Sequence, residues 1–235
     1  MTTSTHTPFT PRPLFLFMCL LLMLTLTTGC DNESYESGDG KYSHLNADFG
    51  MVQTKQSQTL VAATFDDGRA VEFQPTLTCE WADVPAATYR ALVYYYPTSK
   101  DNVVKPYSAL PVYILRWKDK DYTSNTMLTD PVHVESLWLS KNKEYINLRL
   151  GIMVGTEEDG SRQQQLIGIT LDNTQTNADN THTYTVTLRH AQNNVPQYYT
   201  SQQYLSLPLH ECQSGDNIIL HVNTYEGEKT YNMTI

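Results

Sequence analysis

The side chains able to do chemistry in this chain are few and widely spread. Cys30 follows the small pair Thr28-Gly29, so its thiol is a nucleophile beside a bond that a peptidase for small residues can cut. The histidines beyond residue 29 are His44, His133, His182, His190, His210 and His221, and none sits in an HExxH motif. His182 and His190 share strand parity, yet eight positions along an extended strand at ~3.3 Å each span about 26 Å, too far for one metal ion. Glu157, Glu158 and Asp159 offer oxygens to calcium. An EF-type loop spreads its ligands over about twelve positions, so a solvated hairpin tip accounts for them better. Asp66-Asp67-Gly68 separates two β-forming runs, which reads as hairpin-turn chemistry and not as a catalytic dyad. Neither a GxSxG elbow nor a GxxxxGK[ST] phosphate loop follows residue 29. The expectation is a chain with no catalytic residue, no metal and no cofactor, which is not an enzyme. A hydrolase built from scattered Asp and His is the alternative.

The tyrosines are the more informative set. OB-type barrels bind oligosaccharides or single strands on aromatic platforms. Alternation along a strand sends Tyr95 to the face opposite Tyr94 and Tyr96. Tyr94, Tyr96, Tyr107 and Tyr113 therefore form the candidate ligand face, and at least part of the tyrosine set is expected in the core. The charge balance narrows the ligand. The chain carries 25 acidic against 16 basic residues, for a net charge of −9. Nucleic-acid binders neutralise phosphates with Lys and Arg, so DNA and RNA are discounted in favour of a protein, peptide or glycan.

The elements that must position these residues read as all-β. Thr59–Phe65 and Ala70–Phe73 flank the Asp-Gly turn; Arg90–Tyr96 and Tyr107–Trp117 follow, the latter with Pro111 marking an edge or a bulge. With the stretch from Ala47 to Gln56, which holds Gly50, they suit a small OB-type barrel over residues 44–129. The polar connection from Gln74 to Tyr89 accommodates one helical turn near Pro85. Lys118 to Asp130 is polar and without period, and the domain boundary is placed there, just before Pro131. Beyond it the alternation is regular. Ile146, Leu148, Leu150, Ile152 and Val154 share one face, with Asn147 and Arg149 on the other; six further runs repeat or fit the pattern, ending at Tyr231, Met233 and Ile235. A period of two with one apolar face predicts an antiparallel β sandwich over residues 130–235. Cys79 and Cys212 are expected as two buried free thiols, with a disulfide between the two halves as the alternative.

The start of the chain is an address. No carboxylate precedes Gly29, and Leu14 to Leu26 is almost wholly apolar. That run falls short of the ~20 apolar residues that cross a bilayer as a helix and fits the core of a signal peptide over residues 1–29. LTTGC resembles the lipobox of bacterial lipoproteins, in which the cysteine is acylated and the chain is cut just before it, here between Gly29 and Cys30. The usual Leu three places before the cysteine is Thr27 in this chain. Residues 30–43 are acidic and hold Ser and Gly, the composition of a tether. Lipidation of Cys30 would hold the chain at a membrane face. Asp31-Asn32-Glu33 behind it resembles the outer-membrane and surface-export pattern of Bacteroidetes lipoproteins, which implies an outer-membrane lipoprotein facing the periplasm or the cell surface.

Taken together the chain resembles the NigD-like lipoproteins of Bacteroidetes. The matching pieces are the lipobox and tether, HLNADFGMV from His44, TFDDGRAVEFQP from Thr64, RALVYYY from Arg90, DPVHVESLWLS from Asp130, EYINLRLGI from Glu144 and the terminal NTYEGEKTYNMTI. The resemblance implies an OB-type N-terminal domain, a C-terminal β sandwich and a lipid-anchored envelope protein. The family takes its name from a bacteriocin-associated operon, so a role in self-protection or export is a further expectation. It transfers no active site.

Overall fold

The Asp-Gly turn and the runs around it do close a barrel. The structure, a computed structural model, describes residues 44–119, 128–156, 160 and 164–235. The leader, the tether with Gly29 and Cys30, and the acidic triplet at Glu157 lie outside the described residues. Strands β1 (Asn46–Gln56), β2 (Thr59–Phe65), β3 (Ala70–Thr78), β4 (Thr88–Pro97) and β5 (Val103–Pro111) close in the order β1-β2-β3-β5-β4. This is the expected five-stranded barrel of OB type. Its core holds Val52, Leu60, Phe73 and Val93, with Phe65 stacked on Tyr95 at 5.0 Å between ring centroids. The Gln74–Tyr89 connection begins later than expected, because β3 runs on to Thr78. The Trp81 indole N–H then donates to the Ala109 carbonyl at 3.1 Å and pins the connection to the barrel.

Gly50 is where β1 serves two neighbours, facing Phe65 of β2 and Ala91 of β4. A Cβ there would lie 2.6 Å from the Thr64 carbonyl oxygen and 3.0 Å from the Phe65 Cα. Backbone cannot step aside as a flexible side chain can. Gly50→Ala is therefore expected to cost at least about 1–3 kcal/mol, the usual range for overpacking, in urea unfolding. An unchanged midpoint would show that β1 has room at this point.

The run from Tyr107 to Trp117, expected as one strand, is broken at Pro111. Proline has no N–H to continue a ladder. β5 ends there, the Val112 N–H donates to the Arg90 carbonyl at 3.0 Å, and the chain leaves the barrel. Two short strands follow, β6 (Tyr113–Ile114) and β7 (Trp117–Asp119), and each joins a different sheet of the sandwich. Both short strands, which precede the boundary expected at residues 129 and 130, thus pair with the sandwich sheets.

The sandwich strands are β8 (His133–Leu139), β9 (Tyr145–Val154), β10 (Leu166–Thr176), β11 (His182–Ala191), β12 (Tyr199–Pro208), β13 (Asn217–Thr224) and β14 (Gly227–Thr234). One sheet runs β14-β13-β11-β10-β7 and the other β6-β12-β9-β8. Ile146, Leu148, Leu150, Ile169, Leu205, Ile218 and Leu220 fill the space between them. Barrel and sandwich belong to one compact unit, residues 44–235. The face of β9 expected to meet solvent is closed off at Asn147, which is fully buried, while Arg149 stays partly exposed. Barrel residues cover Asn147.

Candidate functional site

Asp66 and Asp67 part company in the structure. Asp67 does turn chemistry: Oδ1 accepts the Arg69 backbone N–H at 3.0 Å and Oδ2 the Arg69 Nε–H at 2.7 Å. Asp66 points away from the turn and meets the Arg90 guanidinium in a two-pronged pair, Nη1 to Oδ1 at 2.5 Å and Nη2 to Oδ2 at 2.7 Å. Arg90 also donates from Nε to the Ser206 hydroxyl at 3.2 Å and from Nη2 to the Asn147 Oδ1 at 3.2 Å. The Ser206 hydroxyl in turn donates to Asn147 at 2.7 Å. The guanidinium lies 4.0 Å from the centroid of the Tyr145 ring and 5.7 Å from that of Phe49, whose own ring meets Trp138 edge-on at 5.2 Å. Barrel and sandwich are thereby locked by one buried cation and its satisfied partners.

The sequence motifs converge on this lock. The segments beginning at His44, Thr64, Arg90, Asp130 and Glu144 supply Phe49, Asp66, Arg90, Trp138 and Tyr145 with Asn147. Read singly each is a strand or a turn; in space most of them meet at one junction.

The candidate tyrosine face does not assemble. Tyr94 lies beside Tyr204 of the sandwich and is half-buried, and burial, with that neighbour, pushes its phenol pKa up. Tyr96 and Tyr107 meet edge-on at 6.3 Å on the barrel. Tyr107 is the extra residue where the β4–β5 register slips between Tyr94 and Tyr95, so strand parity fails there. Tyr113 has crossed to the sandwich with β6, where it pairs with Leu205. Tyr95 is in the core, its hydroxyl donating to Asp48 at 2.5 Å and accepting from Arg69 at 3.0 Å.

The other chemical candidates also stay apart. His182 and His190 pair with opposite ends of β10, Thr176 and Ile167. Among the described residues no three of His, Cys, Asp and Glu gather as a metal-binding group. Cys79 and Cys212 are free, one in the barrel core and one against the sandwich core. Burial raises both thiols, Cys212 to about 12, which keeps them in the inert thiol form.

A preformed hollow does exist at one end of the sandwich, of about 560 Å³. Three segments build it: the chain entering β8 (Leu128, Asp130, Pro131), the β11–β12 loop (Gln192 to Gln197) and Tyr225 of the β13–β14 turn. Gln192 and Asp130 hold it together. The Gln192 N–H donates to Asp130 Oδ2 at 2.8 Å, and its side-chain amide donates to the Met153 and Val195 carbonyls at 3.0 and 2.8 Å. Asn193 and Asn194 both take positive φ, 49° and 60°, a conformation Asn tolerates better than most residues. Tyr225 stacks on His133 with ring centroids 4.5 Å apart, and Tyr198 and Tyr199 stand exposed on the same loop and the strand after it. The sequence by itself gives the 192–197 stretch no role beyond that of a loop. The one signal was the Asn-Asn pair.

Behind the hollow, His190 is 1% exposed, its Nδ1 3.2 Å from the Asp130 carbonyl oxygen and its Nε2 3.4 Å from Gln165 Oε1. Burial holds its pKa below 6.5, although the Asp130 carbonyl works the other way. As pH falls below about 6.5 the unfolded chain takes up a proton that the folded chain refuses, so stability is lost from there down to the folded pKa. The urea midpoint of the wild type is expected to drop between pH 7.5 and pH 5.5, and the drop to shrink in His190→Gln. Equal drops in both would remove His190 as the cause.

Comparison with known proteins fits this architecture. Residues 114–235 match the NigD-like C-terminal beta sandwich domain. A toxin-related protein, so named only provisionally, from Parabacteroides distasonis ATCC 8503 has a TM-score of 0.61 at 17% identity, over 81% of this chain and 93% of that one. A NigD-like immunity protein from Bacteroides caccae ATCC 43185 gives 0.57 at 18% identity, over 80% and 91%. A protein of unknown function from Bacteroides vulgatus ATCC 8482 gives 0.58 at 14% identity, over 81% and 91%. At such identities the likeness concerns the fold alone. No curated protein matches the sequence.

Barrel, sandwich and the lock between them thus define a two-module all-β protein. The chain belongs to the NigD-like family with a C-terminal β-sandwich domain, the family its sequence motifs resemble.

Proposed function

We propose that this NigD-like protein is a lipid-anchored module of the outer membrane, facing the periplasm or the cell surface, which binds an envelope partner and catalyses no reaction. The observation that carries the reading is the sandwich end. Tyr225 lines a hollow there whose walls are already held in place, and Tyr198 and Tyr199 stand exposed in the chain directly after its Gln197 wall. Aromatic side chains concentrate recognition energy, and a preorganised surface loses little entropy on binding. The lipobox-like LTTGC segment supports the anchor. Among the described residues no helix is long and apolar enough to cross a membrane.

Capture from detergent-solubilised envelopes tests it, with the full-length wild type and a Tyr198→Ala/Tyr199→Ala/Tyr225→Ala variant as parallel baits. A partner retained by the wild type and lost by the variant is the expected result. Equal recovery by both baits, or none by either, would overturn the reading.

Self-protection against a bacteriocin is a second reading. It is favoured by the family's name and by the relative from Bacteroides caccae described as an immunity protein. Deletion of the gene should then raise sensitivity to the neighbouring toxin, and unchanged sensitivity would dismiss it.

A further inference from the structure

The geometry points to a neutral sugar residue as the ligand of the hollow at the end of the sandwich, an assignment that rests on the reading of that end as the recognition surface. Its chemistry separates it from the other openings in the fold. The cleft beside Tyr113 runs between the two sheets and sets Gln164, Gln165 and Gln203 among Ile152, Leu166 and Ile167, with no carboxylate among the described residues that line it. In the hollow, Gln192 and Asn193 already donate to backbone carbonyls, which leaves the exposed amides of Asn194 and Gln197, the Asp130 carboxylate and Tyr225 to meet a ligand. Side-chain amides both donate and accept, and a carboxylate accepts; together they suit hydroxyl groups, which do both at every ring carbon that bears one. Tyr225 adds a ring, 40% exposed, against which the C–H face of a pyranose can lie.

The charge pattern excludes the competing small ligands. Among the described residues no Lys or Arg lines the hollow, while Asp130 does, so a phosphate, sulfate or acidic sugar would meet repulsion without a counter-charge. Stacking against His133 and the backbone bonds of Gln192 fix the walls before any ligand arrives. Its volume of about 560 Å³ lies within the ~300–1,000 Å³ typical of small-ligand sites. A peptide adding as a strand is poorly served here. The 192–198 stretch that forms the wall is a turn-rich loop with two left-handed residues and not a free strand edge.

The test is a glycan array probed with the full-length chain in detergent, carrying neutral hexose and N-acetylhexosamine oligosaccharides beside sialylated and sulfated ones. Titration of the hits follows. Neutral glycans are expected to bind, with affinity falling at least tenfold in Tyr225→Ala and in Asn194→Ala. Asn194 is exposed at the rim, so its variant keeps the assignment open to refutation if Tyr225→Ala folds poorly. Preference for acidic glycans, or neutral binding that neither variant weakens, would overturn the assignment. No glycan binding, together with a captured envelope protein that the triple tyrosine variant loses, would sink the sugar and leave the binding module standing. No glycan binding with capture that the variant does not alter would sink both.

Discussion

Arg90→Ala is expected to lower the unfolding free energy by about 3–5 kcal/mol, the usual consequence of removing one partner of a buried ion pair. The guanidinium is 1% exposed and Asp66 11%, so solvent screens the pair little. Losing Arg90 strands the Asp66 carboxylate in the junction with only the Asn147 amide, 3.3 Å away, to donate to it. It also leaves the Ser206 hydroxyl and the Tyr145 ring without their shared neighbour. Removing both charges, in Arg90→Met with Asp66→Leu, is expected to cost less than Arg90→Ala alone, because no unpaired ion then remains. Urea unfolding followed by intrinsic fluorescence would read both. A loss below about 1 kcal/mol in Arg90→Ala would mean that the modules are held by apolar packing and that the lock adds little.

Cys30→Ala is expected to move the protein from the membrane fraction to the soluble one. One acyl chain binds a bilayer only marginally, whereas two or more, at ~0.8 kcal/mol per buried methylene, anchor a chain durably. An alanine at this position can accept none. Fractionation of the native host, with mass spectrometry of the wild-type N-terminus, gives the answer. An unmodified terminus, or an alanine variant still in the membrane, would remove the anchor and the proposed placement in the envelope.

How much of this was legible in the sequence depended on whether packing left a period. The strands around Leu148, Leu188 and Leu220 announced themselves, because one face of each meets a core and parity exposes it. β6 and β7, two and three residues long, are too short to show a period, so the sandwich seemed to begin later than it does. Asn147 looked like a solvated residue on the polar side of β9; that a second module covers that side is not written in the strand itself. Arg90 read as the polar start of RALVYYY for the same reason. Of the tyrosine face only Tyr96 and Tyr107 meet, because a bulge at Tyr107 and the exit at Pro111 each break the parity on which it was drawn. The hollow is made from loop residues of three segments, and loops carry no repeating pattern to read.

The double covering of β9 has one more consequence. Leucines on one side fit a greasy interior and Asn147 on the other fits an ionic socket, so neither side can host what the other carries. A single-residue insertion or deletion in this strand would reverse every side chain beyond it at once and turn core leucines out of the sandwich interior. Length changes in this protein should therefore collect in the hairpins, while β9 keeps its count.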